Sequence, residues 1–147
     1  MNKDYTWDLE IMYKGYKDPK YKDDIKKLKA LIKEINKSTD KKEDDIKHVE
    51  SYLRHSEEMT ILASELYMYS GLRLSTNAND NDAQTELAKI DIMMQDLVES
   101  KVAFKTFLKD VDIDKLAKSS VNITINFLFY FINVQFNALS FAILSQF

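Results

Sequence analysis

Between Ala83 and Leu108 the apolar positions Ala83, Leu87, Ile90, Met94, Leu97, Phe104 and Leu108 recur at spacings of three and four, and Lys101 stands where an apolar side chain was due. That periodicity places one stripe on one side of a helix and predicts a single helix of about seven turns buried against other helices. Earlier in the chain, Asp18-Pro19 reads as a helix start. The aspartate can accept from exposed backbone donors, and proline loses nothing at the first helical position. Ile25, Leu28, Ile32 and Ile35, widened by Leu31, then predict an amphipathic helix ending near Asn36.

A second helix follows Ser38-Thr39-Asp40. With Asp40 as cap, Glu43 sits three residues on, as in a capping box. Ile46, Val49 and Leu53, then Leu62, Leu66 and Tyr69, mark its buried side, and the lapse from Ser56 to Thr60 predicts a local bend. Its end is expected close to Gly71, with Leu72 and Leu74 able to carry it a turn further. Ser75 to Asp82 is a polar connector, and Asn79 or Asp80 is expected to cap the helix beyond it. Residues Tyr5 to Tyr16 read as an extended or singly turned arm that lays its aromatic side chains on the first helices. Ile113, Leu116 and Ala117 suggest one more short turn of helix. The fold class is therefore all-α, an antiparallel bundle-like or hairpin array.

Charge divides the chain into two parts. All 21 basic and 24 acidic side chains lie at or before Lys118, and residues 119–147 carry none. The domain division is thus a helical region over 1–118 and an uncharged hydrophobic tail over 119–147. Ile123 to Leu144 is long enough to span a bilayer as a helix. Against that, Asn126, Asn133, Gln135 and Asn137 each need a partner in hydrocarbon, and no basic residue closes the far side. A buried native segment is a second account. A frame-shifted end is the third and the preferred one, because an adenine- and thymine-rich gene read out of frame yields this mixture of Ile, Asn, Phe, Leu and Ser.

Net charge of -3 gives no electrostatic reason for a nucleic-acid partner. The absence of cysteine rules out disulfides and thiolate chemistry and agrees with a cytoplasmic setting. The opening from Met1 to Asp8 has no apolar run of the kind a secretory leader carries. Lys26, Lys27, Lys29 and Lys33 are interleaved with Asp23, Asp24 and Glu34 and read as a solvated helix side. His48 and His55, seven residues apart, would sit about 10 Å from each other along a helix, too far to share one ion, and are expected to be partly exposed. Glu57 and Glu58 point apart, unlike an acid and base pair across a cleft. Asp80, Asp82 and Glu86 lack the glycine and spacing of a calcium loop. Tyr67 and Tyr69 are expected to pack with their hydroxyl ends wet. No catalytic, cofactor-binding or metal-binding residue is expected.

Two stretches resemble a known family. Trp7-Asp8-Leu9 with Tyr13 is similar to the opening of oligoendopeptidase F and its relatives among the thimet-type (M3) zinc metallopeptidases. Leu66-Tyr67-Met68-Tyr69-Ser70-Gly71-Leu72-Arg73-Leu74-Ser75-Thr76-Asn77, followed by Asp80 to Gln84, resembles their second signature, a tyrosine-bearing helix giving way to a polar turn and another long helix. The resemblance covers residues 5 to about 118. It implies the amino-terminal helices of a hydrolase several times longer, which binds zinc through HExxH plus a later glutamate and cleaves short peptides in a deep channel. HExxH is absent: Val49 and Glu50 follow His48, and Ser56 and Glu57 follow His55. The resemblance thus implies a truncated, non-catalytic fragment, without zinc of its own, whose partners would be a catalytic peptidase half or another copy of itself. An autonomous helical interaction module and a small membrane-anchored helical protein are the alternatives.

Overall fold

The computed structural model describes residues 8–38, 45–112 and 118. The capping segment at Thr39 and Asp40, Trp7, the turn through Ile113 to Ala117 and the uncharged tail lie outside the described residues. The fold is all-α: α1 (Pro19–Ser38), α2 (Asp45–Thr76), α3 (Asn81–Gln95) and α4 (Val98–Lys109), preceded by a single 3-10 turn at Leu9–Ile11.

Helices α1 and α3 begin where the local chemistry dictates. Asp18 accepts at Oδ1 from Lys20 N (2.9 Å) and at Oδ2 from Lys14 N (2.8 Å), so one carboxylate closes the end of the arm and opens α1. Those two backbone donors hold its pKa below the ordinary carboxylate value. Between them, Gly15 takes φ +129°, a conformation that other residues adopt only with strain, and this lets the arm double back onto α1. Asp80 caps α3 by accepting from Ala83 N at 3.0 Å.

Side-chain pairings give the directions of the helices. The start of α1 meets the last turns of α2 through Tyr21 and Tyr69, with Tyr16 just before α1 bonded to Ser70, so these two run antiparallel. Tyr67 donates to Asp91, Tyr52 stacks on Phe104 and His48 packs edge-on to Phe107. As α2 descends, its partners therefore ascend through α3 and on into α4. Tyr21 with Glu86, and Asn36 with Asp96, show α1 running parallel to α3 and α4. The described residues thus form three rods, up, down and up, with α2 against both others and the third rod made of two helices end to end.

The shared core contains Leu28, Ile32 and Ile35 of α1, Val49, Leu62 and Leu66 of α2, and Ile90, Leu97 and Phe104 of the third rod. Burial of these aliphatic and aromatic surfaces is the main stabilising contribution. One expectation needs correction. The third rod is not one helix: it breaks at Asp96-Leu97, although the same stripe stays buried on both sides of the break. As expected, α2 is one long helix that continues through Ser56 to Thr60, where Met59 fills the inward position and Thr60 Oγ1 donates back to Ser56 O at 2.7 Å. The helix also passes Gly71 and ends at Thr76.

Candidate functional site

Where the arm, the end of α2 and the start of α3 converge, four tyrosine rings form a cluster. Tyr13 meets Tyr21 and Tyr69 edge to face at 5.2 and 5.0 Å between ring centres. Tyr16 meets the same two rings at 5.0 and 5.4 Å. Edge-to-face contact sets the positive rim of one ring against the negative face of another, which adds to the burial of area. The arm contributes two rings, α1 one and α2 one. Docking of the arm is thus a consequence of aromatic residues spaced across three separate segments.

Each hydroxyl in the cluster that leaves apolar surroundings finds an acceptor. Tyr13 Oη donates to Asp24 Oδ2 at 2.9 Å, Tyr21 Oη to Glu86 Oε2 at 3.1 Å and Tyr16 Oη to Ser70 Oγ at 3.1 Å. Burial, followed by the neighbouring carboxylates, pushes the Tyr13 and Tyr21 phenols far above their ordinary range. Burial raises Tyr16 too, against the opposing pull of the Ser70 hydrogen bond and the Arg73 charge. These phenols stay protonated at neutral pH and serve as donors, not as bases.

Arg73 closes the cluster. Its guanidinium lies over the Tyr16 ring at 4.7 Å from the centre, and Nε and a terminal nitrogen both reach Asp80 Oδ2 at 2.8 and 2.7 Å. Asp80 therefore holds the α3 amino terminus with one oxygen and Arg73 with the other. Its pKa is lowered, first by the Ala83 backbone donor and then by Arg73. A guanidinium on an aromatic ring and a forked contact to carboxylate are both arrangements that favour arginine over lysine. Chemically this is a clasp: it fixes the arm and the α2–α3 turn, and it commits its polar groups to one another.

The groups singled out from sequence occupy other places. His48 is 6% exposed and lies against Phe104 and Phe107, contrary to the expectation of partial exposure, because the α2 stripe turns it towards α4. His55 is half-buried and its Nδ1 has no hydrogen-bond partner among the described residues. Among the described residues no group of three or more His, Asp or Glu is placed to hold a metal ion, and the His48 ring lies between phenyl rings. Glu57 and Glu58 are exposed on α2. Asp80 is committed to Ala83 and Arg73, while Glu86 accepts from Tyr21 and pairs with Lys89 at 2.7 Å, so the Asp80–Asp82–Glu86 set is a cap and a brace. Lys26, Lys27, Lys29 and Lys33 are all exposed. A shallow groove of about 400 Å³ runs beside two of them, lined by Lys29, Ile32, Lys33, Asn36, Lys37 and Asp96. Among the described residues, no helix is long and apolar enough to cross a membrane.

Comparison of the chain with protein-family models, curated proteins and solved structures finds no match. The clasp escaped the sequence reading as a unit. Its signal was present in the tyrosines of the arm and of α2, but nothing in their spacing pairs one group with the other.

Proposed function

We propose that residues 1–118 are a non-catalytic helical region of the oligoendopeptidase F type, the part that in a full-length zinc peptidase would wall the channel admitting short peptides, and that it works in the cytoplasm. The observation that carries this reading is the clasp. Tyr13, which belongs to the first of the two stretches that carry the resemblance, packs edge to face on Tyr69 of the second, far away in sequence, and Tyr16 beside it adds contacts to Tyr69, Ser70 and Arg73. A pair of signatures that build one contact is what a shared structural role would require. The polar turn between them and α3 is held by Arg73 and Asp80, both within the second stretch.

The peptidase step itself would need paired histidines on one helix face and a glutamate to activate water. Those groups would come from sequence beyond this region. Translating the coding DNA in all three frames downstream of the Lys118 codon tests the reading. Charged helical sequence followed by HExxH in another frame supports it, and absence of such sequence removes the peptidase parentage. The purified chain, supplied with zinc and an unstructured peptide, is expected to leave the peptide intact, and zinc-dependent cleavage would overturn the non-catalytic assignment.

An autonomous interaction module is the second reading. It is favoured by large apolar side chains left exposed on three helices, Ile61 and Met68 on α2, Ile92 on α3 and Val98 and Val102 on α4. Recovery of a separate protein bound stoichiometrically to these surfaces, together with an unchanged reading frame, would place it ahead.

A further inference from the structure

The break between α3 and α4 has no proline or glycine to explain it: the residues are Gln95, Asp96, Leu97 and Val98. Its hydrogen bonds are of the tighter kind. Asp96 N donates to Met93 O at 3.3 Å and Leu97 N to Met94 O at 3.2 Å, before the ladder resumes with Lys101 N to Leu97 O at 2.9 Å. Two steps with three-residue spacing turn the chain by roughly 120° each where an α-helix turns it roughly 100°, an overwinding of roughly 40°.

That rotation has a beneficiary. Counting roughly 100° per residue from Ile90, an unbroken helix would bring Lys101 within roughly 20° of the Ile90 direction, into the core stripe. Overwinding swings Lys101 outward, where it is exposed, and turns Ser100 inward, where it is 5% exposed. Burying the hydroxyl is tolerable because Ser100 Oγ donates to Asn36 Oδ1, whereas a buried ammonium without a partner is far more costly. Asn36 also donates through Nδ2 to Asp96 O at 3.1 Å, the carbonyl that in an unbroken helix would accept from Ser100 N. One side chain of α1 thus holds both sides of the break.

From this arrangement we infer that the α3–α4 joint is a conditional break, driven by Lys101 and latched by Asn36, and that α3 and α4 become one continuous helix when both are removed. The latch forms part of the lining of the groove along α1, so the joint is also accessible to its surroundings. Fusing the rod would rotate α4 against α2 and displace Phe104 from its stack on Tyr52 and Phe107 from His48. The joint therefore links the side of α1 to the far end of α2.

Backbone amide exchange and carbon chemical shifts of the full chain, followed by nuclear magnetic resonance, test this in Asn36→Ala, Lys101→Leu and the double variant. In the double variant the Ser100 amide gains Asp96 O as acceptor and is expected to exchange at least about tenfold more slowly, with Asp96 and Leu97 shifting to helical values. Unchanged exchange at Ser100 and unchanged shifts at the joint would overturn the inference. Should the double variant fail to fold, Lys101→Leu alone decides: its site is exposed, and with the driving charge gone and only the latch left, a partial shift of Asp96 and Leu97 towards helical values is expected, while no shift at all overturns the inference.

Discussion

Replacing Asp80 by alanine removes two interactions at once, and the structure gives a size for each. Loss of the acceptor for Ala83 N uncaps α3, which costs about 1 kcal/mol. Loss of the contact to Arg73 removes charge-assisted hydrogen bonds of 2.7 and 2.8 Å, each class of which contributes about 1.5–3 kcal/mol when the partner is left buried. The Arg73 side chain is 28% exposed, so it can recover part of its hydration, and the lower end of that range applies. The expected loss is therefore about 2–3 kcal/mol, a large share of the 5–15 kcal/mol typical of a domain. Asp80→Asn, which keeps a side-chain oxygen for the cap but no charge for Arg73, should lose about half as much. Urea unfolding followed by far-ultraviolet circular dichroism measures both, and a double-mutant cycle with Arg73→Ala isolates the pair. Should Asp80→Ala cost less than about 0.5 kcal/mol, the value of an ordinary surface change, or should the cycle show no coupling, the clasp as described is wrong.

Two further outcomes are expected. Leu66→Ala, at a fully buried position of α2 in the shared core, should lose about 2–5 kcal/mol by removing transfer energy and leaving a cavity, and a loss below about 1 kcal/mol in the same unfolding experiment would show that the core is not packed as described. Because Tyr13 and Tyr21 have raised values in the fold, the unfolded chain ionises first at the ordinary value of 10.0, so their stabilisation is complete below that pH and is lost as pH rises above it. An alkaline titration read by tyrosinate absorbance should show these two ionising together with unfolding, and their ionisation in a chain that keeps its native dichroism would contradict the burial argument.

What the sequence determined by itself is everything that rests on local physics. Helix α1 was legible from the Asp18-Pro19 start and a clean apolar stripe, because cap chemistry and periodicity act within a few residues. Asp80 was legible as a cap for the same reason, as was the burial of Leu62, Leu66 and Tyr69. What the tertiary structure decided is which distant groups meet. The stripe from Ala83 to Leu108 is compatible with a continuous helix except at Lys101, and that one interruption does not say where or how the chain departs from the helix; the position of the overwound joint follows from the way the third rod lies against Asn36 of another helix. His48 likewise reads as a helix-surface residue until α4 covers it with two phenyl rings. The tyrosines of the arm and of α2 are strong but undirected signals in sequence, since aromatic burial carries no address. Only the antiparallel return of α2 brings Tyr69, Ser70 and Arg73 to Tyr13 and Tyr16, and turns scattered rings into a clasp.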